Sequence, residues 1–121
     1  MVVLILEGHG MLDSFARQVD HVGMRKKLMT IAAIGESQMS KKEREKLFVN
    51  VALTYLPARA RTILFLKYWQ DHTFYEISEA LNLPMKLVRV LFFLSLTYLE
   101  KELRPYVMEP ELFIKGYLKA S

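Results

Sequence analysis

Apolar residues recur at helical spacing along most of the chain. The first such stripe places its members three or four residues apart, at Leu12, Phe15, Val19 and Val22. A second apolar face resumes at Leu28, and Gly23 lies between the two faces. Residues 12–34 therefore predict one bent helix or two short ones, followed by a connector over residues 35–39.

Capping and proline signals predict the next two helices. Ser40 and Glu43 form a Ser-x-x-Glu capping box, which predicts a helix that runs to about Tyr55. Pro57 then fits the first position of the following helix, because a proline at that position has no backbone hydrogen bond to lose. The predicted core residues of these two helices include Leu47, Val51, residues 53–56, Phe65, Tyr68 and Trp69.

Residues 73–103 read as a short helix, a tight turn and a long helix. Thr73 and Glu76 form a second capping box, so the short helix should start directly after Thr73. Asn82 suits the left-handed conformation that ends a helix, and Pro84 suits the first turn of the next one. This order is the helix-turn-helix pattern, whose second helix normally enters the major groove of DNA.

The end of the chain predicts one more helix. Pro105 stops the long helix, and Pro110 lies at the start of a short final one. The predicted apolar side of that helix consists of Leu112, Phe113, Tyr117 and Leu118. The sequence thus predicts an all-α protein, with five to seven helices and little or no sheet.

This pattern divides the chain into three parts. Residues 1–40 are predicted to be an N-terminal helical extension that packs on the core, residues 41–104 the helix-turn-helix domain, and residues 105–121 the C-terminal helix. The apolar run at residues 2–6 is either a short strand or the start of a helix, and its role stays open.

Charge favours a polyanion partner only weakly. The net charge is +4, and residues 41–70 hold seven basic and two acidic groups. Residues 71–104 hold four basic and five acidic groups, so the helix-turn-helix itself is about neutral. The basic excess therefore precedes the element that would read DNA.

Several classes of protein are disfavoured. The chain has no cysteine, and its three histidines have no metal-ligand spacing and accompany no nucleophile motif, so we expect no enzyme, metal, cofactor or small-molecule substrate. No apolar run reaches the ~20 residues that span a bilayer, and residues 2–6 lack the features of a signal peptide. We therefore expect a cytoplasmic protein without a membrane partner.

Residues 56–83, LPARARTILFLKYWQDHTFYEISEALNL, resemble region 4 of bacterial RNA polymerase sigma factors, especially the extracytoplasmic-function type. The shared pattern is Leu-Pro-x-Arg-x-Arg, an apolar helix, a polar turn, an aromatic residue and then Glu-Ile. The matching positions are Leu56, Pro57, Arg59, Arg61, Leu66, Lys67, Tyr68, Tyr75, Glu76, Ile77 and Leu81. The resemblance extends over about residues 43–103.

The resemblance implies a region that recognises promoter DNA and docks on the flap of the polymerase beta subunit. The residues it assigns to DNA are Arg59, Arg61, Thr73, Tyr75, Lys86 and Arg89. Residues 1–40 do not match the sigma region that melts promoter DNA, and 121 residues are too few for a complete sigma factor. Half of a split sigma factor is one open interpretation.

The recognition helix diverges from the family. Alignment on Glu76-Ile77 gives an inward stripe at Val88, Phe92, Ser95 and Leu99. The outward positions are Met85, Lys86, Arg89, Val90 and Phe93, of which only Lys86 and Arg89 can contact a phosphate or a guanine edge. Ten of the thirteen residues at positions 87–99 are apolar, so this helix should be buried or bound.

These apolar residues support a second hypothesis, in which the last helix binds a protein rather than DNA. The partner would be RNA polymerase, a sigma or anti-sigma factor, another transcription protein or a second copy of the chain. The predicted contact residues are Leu87, Val90, Leu91, Phe93, Leu94 and Tyr98. A third interpretation has the N-terminal helices cover the second stripe of this helix, at Leu87, Leu91, Leu94 and Tyr98.

Overall fold

The computed structural model describes residues 15 and 17–120, which form six α-helices and no strand. The helices are α1 (His21–Gln38), α2 (Lys41–Tyr55), α3 (Ala58–Tyr68), α4 (Phe74–Leu81), α5 (Met85–Leu103) and α6 (Pro110–Ala120). The predicted all-α fold is confirmed. The two alternatives for residues 2–6 lie outside the described residues, and the three-part division stays a prediction.

Helix α1 runs further than the sequence predicts. The Asp20 carboxylate accepts a hydrogen bond from the Gly23 N–H at 3.0 Å and so caps the helix. The helix continues through Gly35, so the predicted connector at residues 35–39 is wrong. Gly35 is buried against α2, where a Cβ would lie 2.7 Å from Cδ of Arg44. This glycine therefore allows a close approach of two helices instead of ending one.

The first predicted segment is helical without a break from His21 onward. Residues 21–34 all belong to α1, and Gly23 lies in its first turn. Phe15 and Val19, which precede α1, are both buried in the core. Phe15 and Arg17 are helical but residues 18–20 are not, so the described part of the predicted segment breaks directly before α1 and not at Gly23.

Helices α2 and α3 start close to their capping signals. Ser40 Oγ accepts a hydrogen bond from the Glu43 N–H at 3.2 Å at the start of α2. Pro57 is the N-cap of α3, one position earlier than predicted. Thr54, inside the predicted core range of residues 53–56, is exposed. The buried residues of these helices are Phe48, Val49, Ala52, Leu53, Ala60, Ile63, Leu64 and Tyr68.

The helix-turn-helix has the predicted caps. Thr73 Oγ1 accepts from the Glu76 N–H at 3.1 Å, and the Glu76 carboxylate accepts from the Thr73 N–H at 3.0 Å, which completes the capping box. Asn82 ends α4 in the left-handed conformation, with φ 53°. The axes of α4 and α5 meet at 109°, within the ~90–120° of helix-turn-helix motifs. Local sequence signals therefore position this motif correctly.

Helix α5 lies at the centre of the core. It contacts α2, α3, α4 and α6. The predicted inward stripe is confirmed, since Val88, Phe92, Ser95 and Leu99 are all buried. The Ser95 hydroxyl donates to the Leu91 carbonyl at 2.6 Å, which satisfies its polar group inside the core.

Helix α6 packs against α2, α3 and α5. The sequence pattern predicted only some of its core residues. Ile114 and Leu118 are buried, and Phe113 packs against the core. The prediction for Leu112 is wrong, because its side chain is 63% exposed. The Tyr117 side chain lies outside the described part.

An ion pair joins α1 to the C-terminal half of α5. The Arg25 guanidinium donates to both carboxylate oxygens of Glu102, at 2.8 and 3.1 Å. Glu102 is 8% exposed, so this fork satisfies a buried carboxylate, and its hydrogen bonds and charge raise the pKa of Arg25. Beside it, the Tyr98 hydroxyl lies 2.8 Å from Nδ1 of His21, and burial raises the pKa of that hydroxyl. Helix α1 is thus fixed to α5 by polar contacts.

Among the described residues, no single helix is long and apolar enough to cross a membrane. The pair α4 and α5 reaches that length and hydropathy together but is bent by 109° at the turn. The inward stripe of α5 is buried in the protein's own core, which accounts for its apolar character.

Replacement of Arg25 by alanine should destabilise the fold by about 2 kcal/mol, because it leaves the buried Glu102 carboxylate without its guanidinium partner. Urea unfolding followed by circular dichroism measures this change. The matched control is Lys26→Ala, which removes an exposed charge from the same turn of α1 and should change stability by less than about 0.5 kcal/mol. Equal stability of the two variants would show that the ion pair contributes nothing.

Candidate nucleic-acid interface

The outward side of α5 is mixed rather than polar. Lys86 and Arg89 are exposed in the first two turns, as predicted. Met85 and Phe93 are exposed by 36% and 57%, and Val90 is partly buried. Two cations therefore share this surface with three apolar side chains.

Phe74, the first residue of α4, gathers two cations around its ring. Lys67 Nζ lies 4.6 Å from the ring centroid, and Arg89 Cζ lies 5.9 Å from it. Both distances allow a cation–π interaction, which holds the end of α3 and the start of α5 to the same side chain. Phe93 also contacts this ring, with centroids 6.2 Å apart. Lys67, Phe74, Arg89 and Phe93 together are named here the Phe74 cluster, which brings two cations and two aromatic rings together.

Lys67 is a candidate residue that the sequence analysis did not select. Lys67 belongs to the pattern that carries the family resemblance. Its place in that pattern, however, does not predict a contact with α4. Its approach to Phe74 depends on the path of the α3–α4 turn, in which Asp71 adopts φ 56°. A cation directly before a polar turn and a capping box is the signal that could have found it.

Arg59 and Arg61 lie at the other end of α3. Both side chains are exposed, and Arg61 Nη1 donates to the Thr54 carbonyl of α2 at 3.4 Å. Lys67 lies six positions after Arg61, a distance of about 9 Å along the helix axis. Helix α3 contains no acidic residue, so its charged side chains are all basic. The two arginines are two positions apart and so point to different sides of α3, and they add positive charge around its first turn.

Thr73 and Tyr75 lie next to the cluster. The Thr73 hydroxyl accepts the capping hydrogen bond from the Glu76 N–H. Tyr75 is 63% exposed and presents its hydroxyl to solvent. Hydrogen bonds from the backbone and hydroxyl of Thr73 lower the pKa of Glu76, so a negative charge stays at this helix start. That charge partly offsets the nearby cations.

The six residues predicted to contact a protein do not form one exposed surface. Tyr98 is only 3% exposed, with its ring against Phe15 and its hydroxyl on His21, so its selection as a surface residue is wrong. Leu91 and Leu94 are partly buried and pack against the core. The remaining three are Leu87 and Val90, which are partly buried, and Phe93, which is exposed. In the described part of the N-terminal segment, Phe15 and His21 contact the second stripe at Tyr98, its C-terminal end.

A second aromatic surface lies on α3, where the sequence predicted core. Phe65 and Trp69 are 36% and 42% exposed, and their rings stack with centroids 4.6 Å apart. The prediction that both are core is wrong, because residues four apart share one side of a helix and this side faces solvent. Tyr68 is core as predicted, and its burial raises the pKa of its hydroxyl to about 12.

Comparison with known proteins supports the helix-turn-helix interpretation. The family model for sigma-70, region 4, matches residues 49–99, from the second half of α2 into the last turns of α5. No curated protein and no solved structure matches the chain. The resemblance predicted from the sequence is thus confirmed over this segment, and it indicates a sigma-factor-like role in transcription.

Replacement of Thr73 by alanine should destabilise the protein by about 1 kcal/mol, because it removes the side-chain cap of α4. Thermal unfolding measures the effect. Thr62→Ala is the matched control, since the Thr62 hydroxyl bonds only to the Ala58 carbonyl within α3 and its loss should cost little. A Thr73→Ala protein as stable as Thr62→Ala would contradict the capping role.

The Glu76 half of the capping box should give stability a specific pH dependence. The folded protein lowers the pKa of this carboxyl below its ordinary 4.5, so its contribution is present above that pH and is lost as pH falls through the lower folded value. The difference in stability between wild type and Glu76→Gln should therefore shrink on acidification. A difference that stays constant from neutral to acidic pH would rule this out.

Proposed function

We propose that the segment of residues 49–99 binds duplex promoter DNA through the start of α5 and acts together with RNA polymerase. The observation that carries the proposal is the Phe74 cluster, which holds Lys67 and Arg89 around one ring at the start of the recognition helix. The match to sigma-70 region 4 supports a transcription role for the same residues.

The charged side chains divide into two roles in this proposal. Arg89 and Lys86, on the outward side of α5, approach guanine edges or phosphates in the major groove. Lys67, Thr73 and Tyr75 lie before α5 and contact the phosphate backbone, where contacts fix orientation but carry no sequence information. Arg59 and Arg61 extend the phosphate contacts along α3.

Contact with a protein of the transcription machinery is a second function that the structure favours. The exposed Phe65–Trp69 pair lies on the solvent side of α3, away from the buried side that faces α5. Tryptophan is one of the residue types that dominate protein interfaces. RNA polymerase is the proposed partner. An anti-sigma factor or another transcription protein is the alternative.

The apolar residues on the outward side of α5 support the alternative hypothesis, in which this helix binds a protein instead of DNA. Leu87, Val90 and Phe93 are the residues left for such a contact, and Phe93 is its only largely exposed member. Self-association through the same residues is part of this alternative. Light scattering of wild type and Phe93→Glu distinguishes it, since a dimer through α5 would dissociate to monomer in the variant.

Replacement of Arg89 by alanine should weaken binding to promoter DNA by about 1 to 3 kcal/mol, because it removes a guanine or phosphate contact. Lys67→Ala should instead weaken binding to all sequences and reduce the salt slope by about one phosphate. Fluorescence anisotropy over a range of salt concentrations measures both effects.

The matched control for these variants is Lys101→Ala, which removes an exposed cation from the last turn of the same helix. It should leave affinity and salt slope unchanged. Binding that does not depend on salt, or an Arg89→Ala protein that binds like Lys101→Ala, would contradict the proposed DNA interface.

Replacement of Trp69 by serine should reduce recovery of RNA polymerase with the tagged protein from a nuclease-treated extract, because it removes half of the stacked pair. Leu112→Ser is the matched control, since Leu112 is also a largely exposed apolar residue but lies on α6. Equal recovery with both variants would exclude the α3 surface as the polymerase contact, and recovery that disappears with nuclease would indicate a bridge through DNA.

A further inference from the structure

The outward side of α5 carries apolar groups at positions from which a groove-reading helix reaches base edges. Phe93 is 57% exposed, and Val90 lies almost one helical turn before it on the same side. Neither side chain can form a hydrogen bond with a base. Their chemistry therefore limits what this helix can recognise.

The polar residues of α5 further limit which bases this helix can recognise. The first eleven residues of α5, MKLVRVLFFLS, contain no Asn, Gln, Asp or Glu. Adenine is usually read in the major groove by Asn or Gln, and cytosine by Asp or Glu. Lys86 and Arg89 can read guanine. The only base feature that suits an apolar side chain is the C5 methyl group of thymine.

The Phe93 ring is held in place for such a contact. It packs against Phe92, with centroids 5.2 Å apart and planes at 77°, and against Phe74 at 6.2 Å. Phe92 is buried and Phe74 is partly buried, so both neighbours are anchored in the fold. A ring that is already ordered loses little conformational entropy when it meets a base.

The Phe74 ring, which supports Phe93, also positions the nearby Arg89 side chain. Arg89 lies over the Phe74 ring that also contacts Phe93, so the two side chains share one anchor. They are four residues apart on α5, a separation of about 6 Å along the helix axis. Two base-pair steps of the duplex cover a similar distance, at about 3.4 Å each.

We propose that α5 reads thymine through its C5 methyl group, with Phe93 and Val90 in contact with methyls about two base pairs from a guanine or phosphate held by Arg89. This inference rests on the proposed DNA-binding function and specifies the ligand of that site. The preferred duplex therefore contains thymines at the positions nearest the middle of α5.

Substitution of deoxyuridine for thymine tests the proposal, because it removes the methyl group and keeps base pairing. The full chain first selects duplexes from a random thymine-containing pool. Each selected duplex is then made with thymine and with deoxyuridine, and the two affinities are compared by fluorescence anisotropy. Loss of one buried methyl should weaken binding about fourfold, so two contacts should give about fifteenfold.

The variant Phe93→Ala should reduce this discrimination from about fifteenfold to about fourfold, because only the Val90 contact remains. Because Phe93 is exposed, its removal should leave the fold intact, which thermal unfolding checks. Met108→Ala is the matched control, since Met108 is 86% exposed on the segment between α5 and α6, and it should keep the full preference for thymine.

The outcomes separate this inference from the function on which it rests. Equal binding of the two duplexes by wild type, or selected duplexes without thymine, overturns methyl recognition while DNA binding stands. A preference for thymine that is as large in Phe93→Ala as in wild type overturns the assignment to Phe93. Failure to bind any duplex, even at low salt, overturns the proposed function and this inference together.

Discussion

Burial of the inward side of α5 is the interaction on which the described helices depend. Four helices pack on α5, and its inward residues, from Val88 to Leu99, are almost inaccessible to solvent. Each fully buried large apolar side chain contributes about 1.5 to 3 kcal/mol, so this contact fixes the rotation of α5 about its own axis. The rotation in turn determines which residues reach the surface, and it places Arg89 and Phe93 beside Phe74.

The parts of the fold that depend on neighbouring residues could be predicted from the sequence. The capping box of Thr73 and Glu76, the left-handed Asn82 and the cap at Ser40 are all formed by residues within a few positions of each other. Such signals determine where helices start and stop, because they satisfy backbone groups that the helix itself leaves free. The exposed candidates at the start of α5 followed from the same local reasoning once the inward stripe was assigned.

The parts that depend on distant residues could not be predicted. Helix α3 is apolar on more than one side, and periodicity does not tell which side meets the core, so Phe65 and Trp69 were assigned wrongly. Gly35 was wrongly predicted to end a helix. Its close contact with Arg44 depends on how α1 and α2 pack, which the sequence does not reveal. Tyr98 is buried partly because the Phe15 ring packs against it, which no spacing within α5 reveals.

The position of Trp69 has an optical consequence. The chain has one tryptophan, and it lies exposed on α3, stacked on Phe65. Its emission therefore reports the environment of that one surface, without a contribution from any second indole in the core. A macromolecule that covers α3 would shift this signal, whereas a ligand held at α5 would leave the indole in water, so the protein carries a built-in spectroscopic label for one of its two candidate surfaces.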